Sequence, residues 1–216
     1  MNRLGHSVSG VPVAVWTLPF VPVAGPVGSA VWVASVVGFT LAPDVDHPAA
    51  TAANMWGPVS RVPSRFLSHR GFTHQVPGLA LAVVTVWAAT TGNVAPLVAS
   101  LARTAGHAHP AELGAQVGAW VLLGVLAVTA GLVLAVFRCP WLVNLPVSWA
   151  AAAVVGWGGL PLEWLPWAVA AGVATHVAGD RVPARYEPVA VTVCLAATAA
   201  WPFRAHLGAL IEGVAT

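Results

Sequence analysis

The sequence predicts an all-α fold: a polytopic transmembrane helical bundle of about six or seven spans, a single integral membrane domain over residues 1–216 with a polar site at one membrane face. Three observations predict it. Only 7% of the residues are charged and 58% are apolar, where soluble domains carry about 25% charged residues. Mean hydropathy is +0.80, and runs of Leu, Val, Ala and Trp of membrane-spanning length recur from end to end. Against this background, acids and imidazoles gather in three short pieces: P-D-V-D-H at Pro43–His47, H-R-G-F-T-H at His69–His74 and H-V-A-G-D at His176–Asp180.

Taken in order, spanning helices are expected near 11–24, 27–42, 73–91, 114–137, 141–159, 162–179 and 188–203. The third and fourth are long and nearly free of charge. The first is short and interrupted by Pro12, Pro19 and Pro22, so a bent or partly re-entrant first hairpin is expected. A single helix over 11–42 would run about 48 Å through Pro19, Pro22, Gly25 and Pro26. Long connections are expected at 43–72 and 92–113. Trp141, Trp149, Trp157, Trp164, Trp167 and Trp201 fall near helix ends, where interfacial belts favour an apolar ring with one N–H to satisfy. The N-terminal stretch imitates a signal peptide, with Arg3, an apolar run and small residues near Ala24–Ala30; as the first of several apolar segments it reads as retained.

All nine basic residues are arginines, and the net charge of +2 is too weak and scattered for a nucleic-acid surface. With seven spans, Arg3, Arg61, Arg65, Arg70, Arg138, Arg181 and Arg185 share one side, and only Arg103 and Arg204 lie on the other. Positive charge marks the cytoplasmic face. That topology brings Asp44, Asp46, His47, His69, His74, His176 and Asp180 to the cytoplasmic side, with His6 beside them. Cys139 and Cys194 have no metal-ligand spacing and read as small apolar residues.

Pro43 biases Ala42 away from helix, so Asp44 and Asp46 are expected on an extended turn facing one way, with His47 splayed to another. Two carboxylates and an imidazole in four residues can hold one divalent ion or bridge two. Thr73 is placed to cap the third span, leaving His74 in its first turn, and Arg70 offers forked donors to an anion. His176 and Asp180, four apart on a helix, share a face; Asp180 either ligates or orients a ligating His176. His6 is an extra ligand. His107, His109 and Glu112 form a separate patch on the far side, read as a solvated loop. Glu163 reads as an interfacial or capping acid, and His206 is assigned no role.

These motifs resemble the bacterial inner-membrane proteins of the YdjM type, described as membrane-bound metal-dependent hydrolases. Members show an N-terminal histidine, L-P-D-x-D-H-P after a hydrophobic helix, H-R-G-x-T-H-S, and H-x-x-x-D in a later helix. The matches are His6, then A-P-D-V-D-H-P at Ala42–Pro48, then H-R-G-F-T-H at His69–His74, then His176 and Asp180. Gln75 replaces the usual serine. R-V-P-A-R-Y-E-P follows Asp180 where the family often has threonine and glycine, so Arg181 and Arg185 are expected to reshape a substrate entrance.

The leading expectation is a metal-dependent hydrolase of the bacterial cytoplasmic membrane, multi-pass, with its site facing the cytoplasm. One or two divalent ions, Zn²⁺ first and Mn²⁺ or Mg²⁺ behind it, would be held by His6, Asp44, Asp46, His47, His69, His74, His176 and Asp180. Asp46 or Asp180 would serve as general base and Arg70 would stabilise developing negative charge. A lipid or lipid-linked ester or phosphoester is the expected substrate, with membrane lipids as partners. The rival readings are a metal-ion transporter or sensor, which the apolar mid-span positions weigh against, and a scaffold with a closed structural metal site.

Overall fold

A computed structural model describes residues 3–23, 25–67, 71–158 and 161–203. Among these, all regular structure is helical: α1 (Arg3–Thr17), α2 (Gly25–Phe39), α3 (Pro63–Phe66), α4 (Val76–Thr90), α5 (Val94–Thr104), α6 (Pro110–Val136), α7 (Trp141–Trp157), α8 (Leu165–Asp180) and α9 (Glu187–Ala200). Short 3₁₀ turns at Ala42–Asp46 and Phe72–His74 carry two of the polar motifs. Proline sets many of the starts, standing in the first two positions of α3, α4, α6, α8 and α9. There its fixed φ suits the helix and its missing N–H would have had no partner.

Helices α2, α4, α7, α8 and α9 are shorter than the spans expected for them. Only α6, with 27 residues, is by itself long and apolar enough to cross a membrane among the described residues. It measures about 40 Å, whereas a helix of 15 residues measures about 23 Å. Helices α4 and α5 pass the same test only together, and they are bent by 91° at Gly92, whose φ of 74° is left-handed. Two expectations are corrected here. The region 92–113 is not all loop, because V-A-P-L-V-A-S-L-A-R-T winds into α5 with Pro96 in its first turn. Pro12 does not stop the first helix; α1 begins at Arg3, carries His6, and continues through Pro12 while packed on α2, α8 and α9.

Alternating helix direction brings the polar motifs to one end. Helix α1 starts there and α2 finishes there; α4 starts, α6 finishes, α7 starts, α8 finishes and α9 starts at the same end. The buried centre is α2 with α8, where a Cβ on Gly172 would stand 2.6 Å from Phe39 Cβ and 2.6 Å from the Val36 carbonyl oxygen. Only glycine permits that approach, as at close helix crossings in membranes. Helix α1 is tied in by the Trp32 indole, which donates to the Ala14 carbonyl at 2.8 Å. Trp164 lies in this centre, edge-on to Trp32 and donating to the Pro161 carbonyl, so it is a core residue rather than part of an interfacial belt.

The 43–67 connection is folded, not loose. Ala52, Ala53, Met55 and Trp56 are buried. Ser60 Oγ accepts from the Trp56 backbone N–H and donates to the Ala53 carbonyl, and Trp56 Nε1 donates to Ser148 Oγ on α7 at 3.0 Å. The connection thereby caps the polar end of the bundle.

Candidate metal centre

Four chain segments deliver the site. Helix α1 supplies His6 in its first turns, the 3₁₀ turn after α2 supplies Asp44 and Asp46, the turn before α4 supplies Thr73 and His74, and the last turn of α8 supplies His176 and Asp180. The expected extended turn at Pro43 is a 3₁₀ helix over Ala42–Asp46 instead. Its first turn accommodates proline, and at about three residues per turn, positions two apart point about 120° away from each other. Asp44 and Asp46 therefore part company. Thr73 is not a helix cap: Gln75 holds the cap position of α4, and His74 precedes it in its own 3₁₀ turn.

The donor atoms converge closely. His74 Nε2 lies 3.1 Å from His176 Nε2. Asp180 Oδ2 lies 3.4 Å from His74 Nε2 and 3.5 Å from His176 Nε2. Asp44 Oδ1 lies 3.7 and 3.6 Å from the same two nitrogens. The other oxygen of Asp180 is 3.3 Å from His6 Nε2. Two sets of mutually close donors result, His6–Asp44–His176 and His74–His176–Asp180. The ring of His6 stacks on that of His176 with centroids 4.0 Å apart and planes at 16°.

Hydrogen bonds behind the cluster aim its lone pairs. A carbonyl oxygen only accepts, so the 2.6 Å contact between His176 Nδ1 and the Thr40 carbonyl requires the proton on Nδ1 and leaves a lone pair on Nε2. Thr73 Oγ1 donates in a short hydrogen bond to Asp46 Oδ2. Its oxygen lies 3.1 Å from His74 Nδ1, where it accepts the ring proton, with Asp46 Oδ2 also 3.4 Å away. His74 Nε2 thus presents a lone pair too. Two lone pairs 3.1 Å apart, ringed by carboxylate oxygens, repel one another, and a shared cation removes that repulsion. Ligands about 2.0–2.1 Å from a tetrahedral Zn²⁺ stand about 3.3–3.4 Å from each other, and the donor separations of 3.1–3.7 Å bracket that spacing. The residues fit a divalent ion.

Of the eight sequence-selected ligands, His6, Asp44, His74, His176 and Asp180 meet in the cluster. Asp46 is buried behind His74 and orients it. His47 lies beside the cluster, where its Nδ1 accepts from the Ala49 backbone N–H at 3.3 Å and its ring borders a cavity shared with Asp44. His69 and Arg70 lie outside the described residues. Sequence reasoning gave Thr73 the wrong partner and missed Thr40 altogether. Thr73 is adjacent to His74 in the sequence, a signal that its hydroxyl can hold that imidazole, but a backbone carbonyl leaves no trace in residue type. His107, His109 and Glu112 stay apart from this site; His109 and Glu112 are 70% and 74% exposed and 3.9 Å from each other, as expected of a solvated patch.

An all-helical fold with an imidazole–carboxylate cluster at one end defines a helical protein with a divalent-metal-capable site. The sequence model of the family described as YdjM inner membrane protein matches residues 1–210, and the chain belongs to that family. No curated protein and no solved structure matches the chain.

Proposed function

We propose that this chain is a multi-pass hydrolase of the bacterial inner membrane that uses a divalent metal, Zn²⁺ before Mn²⁺ or Mg²⁺, to cleave a lipid or lipid-linked ester or phosphoester at the cytoplasmic face. The observation that carries the reading is the pair of Nε2 lone pairs of His74 and His176, 3.1 Å apart and flanked by Asp44 and Asp180. Several spans are supported by large apolar side chains left exposed on α2, α4, α6, α7 and α9, among them Val31, Leu81, Trp87, Trp120, Val154 and Val193. In water such a surface would associate; in lipid it is the outer wall. The cytoplasmic assignment follows from arginines 61, 65, 138, 181 and 185, which sit on connections at the polar end.

A bound divalent ion would supply Lewis acidity and bring the pKa of a coordinated water to about 7. The chain's own residues do the rest. Thr40 and the Thr73–Asp46 pair hold the two imidazoles in the ligating tautomer. Because His176 has one lone pair to give, a bound ion would draw on both donor sets there, held by His6, Asp44, His74, His176 and Asp180. His6 and His176 are 1% and 0% exposed, whereas Asp44 and Asp180 keep 23% and 16%. The cluster is closed behind and open on its carboxylate side, which favours catalysis over a sealed structural site. On that side Asp180, already within reach of His6, is placed to take a proton from water as general base. Arg70, which lies outside the described residues, is assigned by its chemistry the charge developing on the substrate.

The test is metal analysis of the detergent-purified protein, followed by a screen of phosphoester and acyl-ester lipids with the loaded form. Stoichiometric metal and turnover that both vanish in Asp180→Asn are expected. Undiminished turnover in His176→Ala would refute the assignment.

A further inference from the structure

Beside the cluster lies a cavity of about 370 Å³ whose polar lining is Asp44, His47, Thr51 and Arg138, with Leu41 and alanines of the 49–52 turn between them. That volume is at the low end for small-molecule sites, roughly 300–1,000 Å³. Asp44 belongs to both: it is one wall of the cavity and a donor of the His6–Asp44–His176 set. Arg138 reaches the cavity from the end of α6, where its φ is 57°. It closes that helix in the manner usual for glycine, with the Cys139 N–H bonded to the Leu134 carbonyl at 3.1 Å. A non-glycine residue there is strained. Arg138 makes no side-chain hydrogen bond or ion pair with the described residues. A forked cation held over a cavity, beside an imidazole and next to a metal-capable carboxylate, matches a phosphate group.

We propose that this cavity is the subsite for a phosphate-bearing head group, gripped by Arg138 with His47 beside it, and that it fills only after the neighbouring cluster holds its metal. The inference rests on the metal-hydrolase reading and names its substrate class. The order follows from charge. With the cluster empty, Asp44 sets a carboxylate in the wall and repels a phosphate dianion. Once Asp44 ligates a cation its charge is neutralised, and Arg138 then dominates the cavity. Linkage requires the converse: phosphate must tighten metal binding by the same factor that metal tightens phosphate binding.

The experiment uses the full chain in phosphatidylcholine nanodiscs with Co²⁺ as the metal probe. Inorganic phosphate is followed by calorimetry and by the visible Co²⁺ absorption; a parallel arm replaces part of the lipid with phosphatidic acid, whose head is a phosphomonoester. Phosphate is expected to bind the Co²⁺ form at least about tenfold more tightly than the metal-free form. Arg138→Gln and Arg138→Gly are each expected to weaken it about tenfold, Arg138→Lys less, with Co²⁺ affinity in phosphate-free buffer changed by less than about threefold. Arg138→Gly removes the guanidinium while easing the backbone, so it is expected to melt no lower than the parent and isolates the charge from folding. An effect of phosphatidic acid larger than that of inorganic phosphate identifies the ligand as a lipid head; the reverse identifies a soluble phosphate. Equal phosphate affinity in parent and Arg138→Gly, or in metal-loaded and metal-free protein, overturns the proposal and leaves the metal site standing. Absence of Co²⁺ binding overturns both.

Discussion

The two ends of the bundle hold similar residue types and differ in everything else. At one end His6, Asp44, His74, His176 and Asp180 come from four segments, and His74 and His176 touch across 102 residues of sequence. At the other, His107, His109 and Glu112 lie within six positions on the approach to α6, and His109 and Glu112 are largely exposed. Their one contact, 3.9 Å between residues three apart, is what any helix start places side by side. An exposed pair of this kind contributes little. The first group has been taken from water and aimed by buried hydrogen bonds, and the second has not. Ligand chemistry alone therefore does not make a site; the desolvated convergence does.

The sharpest way to break the comparison is to remove one imidazole from each end. His176→Ala takes away the nitrogen common to both donor sets, and metal affinity is expected to fall by more than about 100-fold. A His107→Ala/His109→Ala double variant is expected to change it less than about twofold, with stability within about 0.5 kcal/mol of the parent. Elemental analysis and a metal titration of the two proteins decide it; loss of metal from the double variant would mean that the far patch is a site after all.

Asp46→Asn probes the layer behind the ligands. It preserves size while removing the carboxylate that holds Thr73 and lies 3.4 Å from His74 Nδ1, and metal affinity is expected to drop about 10- to 100-fold. An unchanged affinity would show that His74 is oriented by Thr73 alone.

Gly172→Ala tests the packing that brings the segments together. The added methyl meets Phe39 and the Val36 carbonyl at 2.6 Å, so α2 and α8 must separate at a cost of about 1–3 kcal/mol. That movement also draws Thr40 from His176 Nδ1, and a metal affinity lower by less than about tenfold is expected alongside the lower Tm. A thermal melt with and without metal reads both effects.

Much of this was legible beforehand because it is local. Helical type follows from unbroken apolar runs, and the pairing of His176 with Asp180 follows from a four-residue spacing, seen here at 3.5 Å. The common end of the three motifs followed from counting helix directions against arginines. What failed did so where local rules compete. Pro43 biases Ala42 toward an extended turn, yet proline equally suits the start of a 3₁₀ turn, and that choice sends Asp46 behind His74 instead of beside Asp44. Pro12 is expected to interrupt the first span, yet it lies inside a helix packed on three neighbours. The stretch 92–113 is expected as a connection, yet α5 forms there with Pro96 in a first turn that needs no N–H from it. Helices α2, α4, α7, α8 and α9 are shorter than the spans expected for them, since hydropathy sums a window and does not see where proline and glycine trim its ends, whereas α6 runs longer than its expected span.

By itself, the sequence determined that the chain is helical and apolar, that its few acids and imidazoles are of metal-ligating types, and which of them lie within a turn of one another. Those properties depend on neighbours a few bonds away. The tertiary structure alone decided which lone pairs face one another, through a Thr40 carbonyl that no residue code records and a glycine-dependent approach of α2 to α8. Such contacts join positions more than a hundred residues apart, and their distances are set by how whole helices pack.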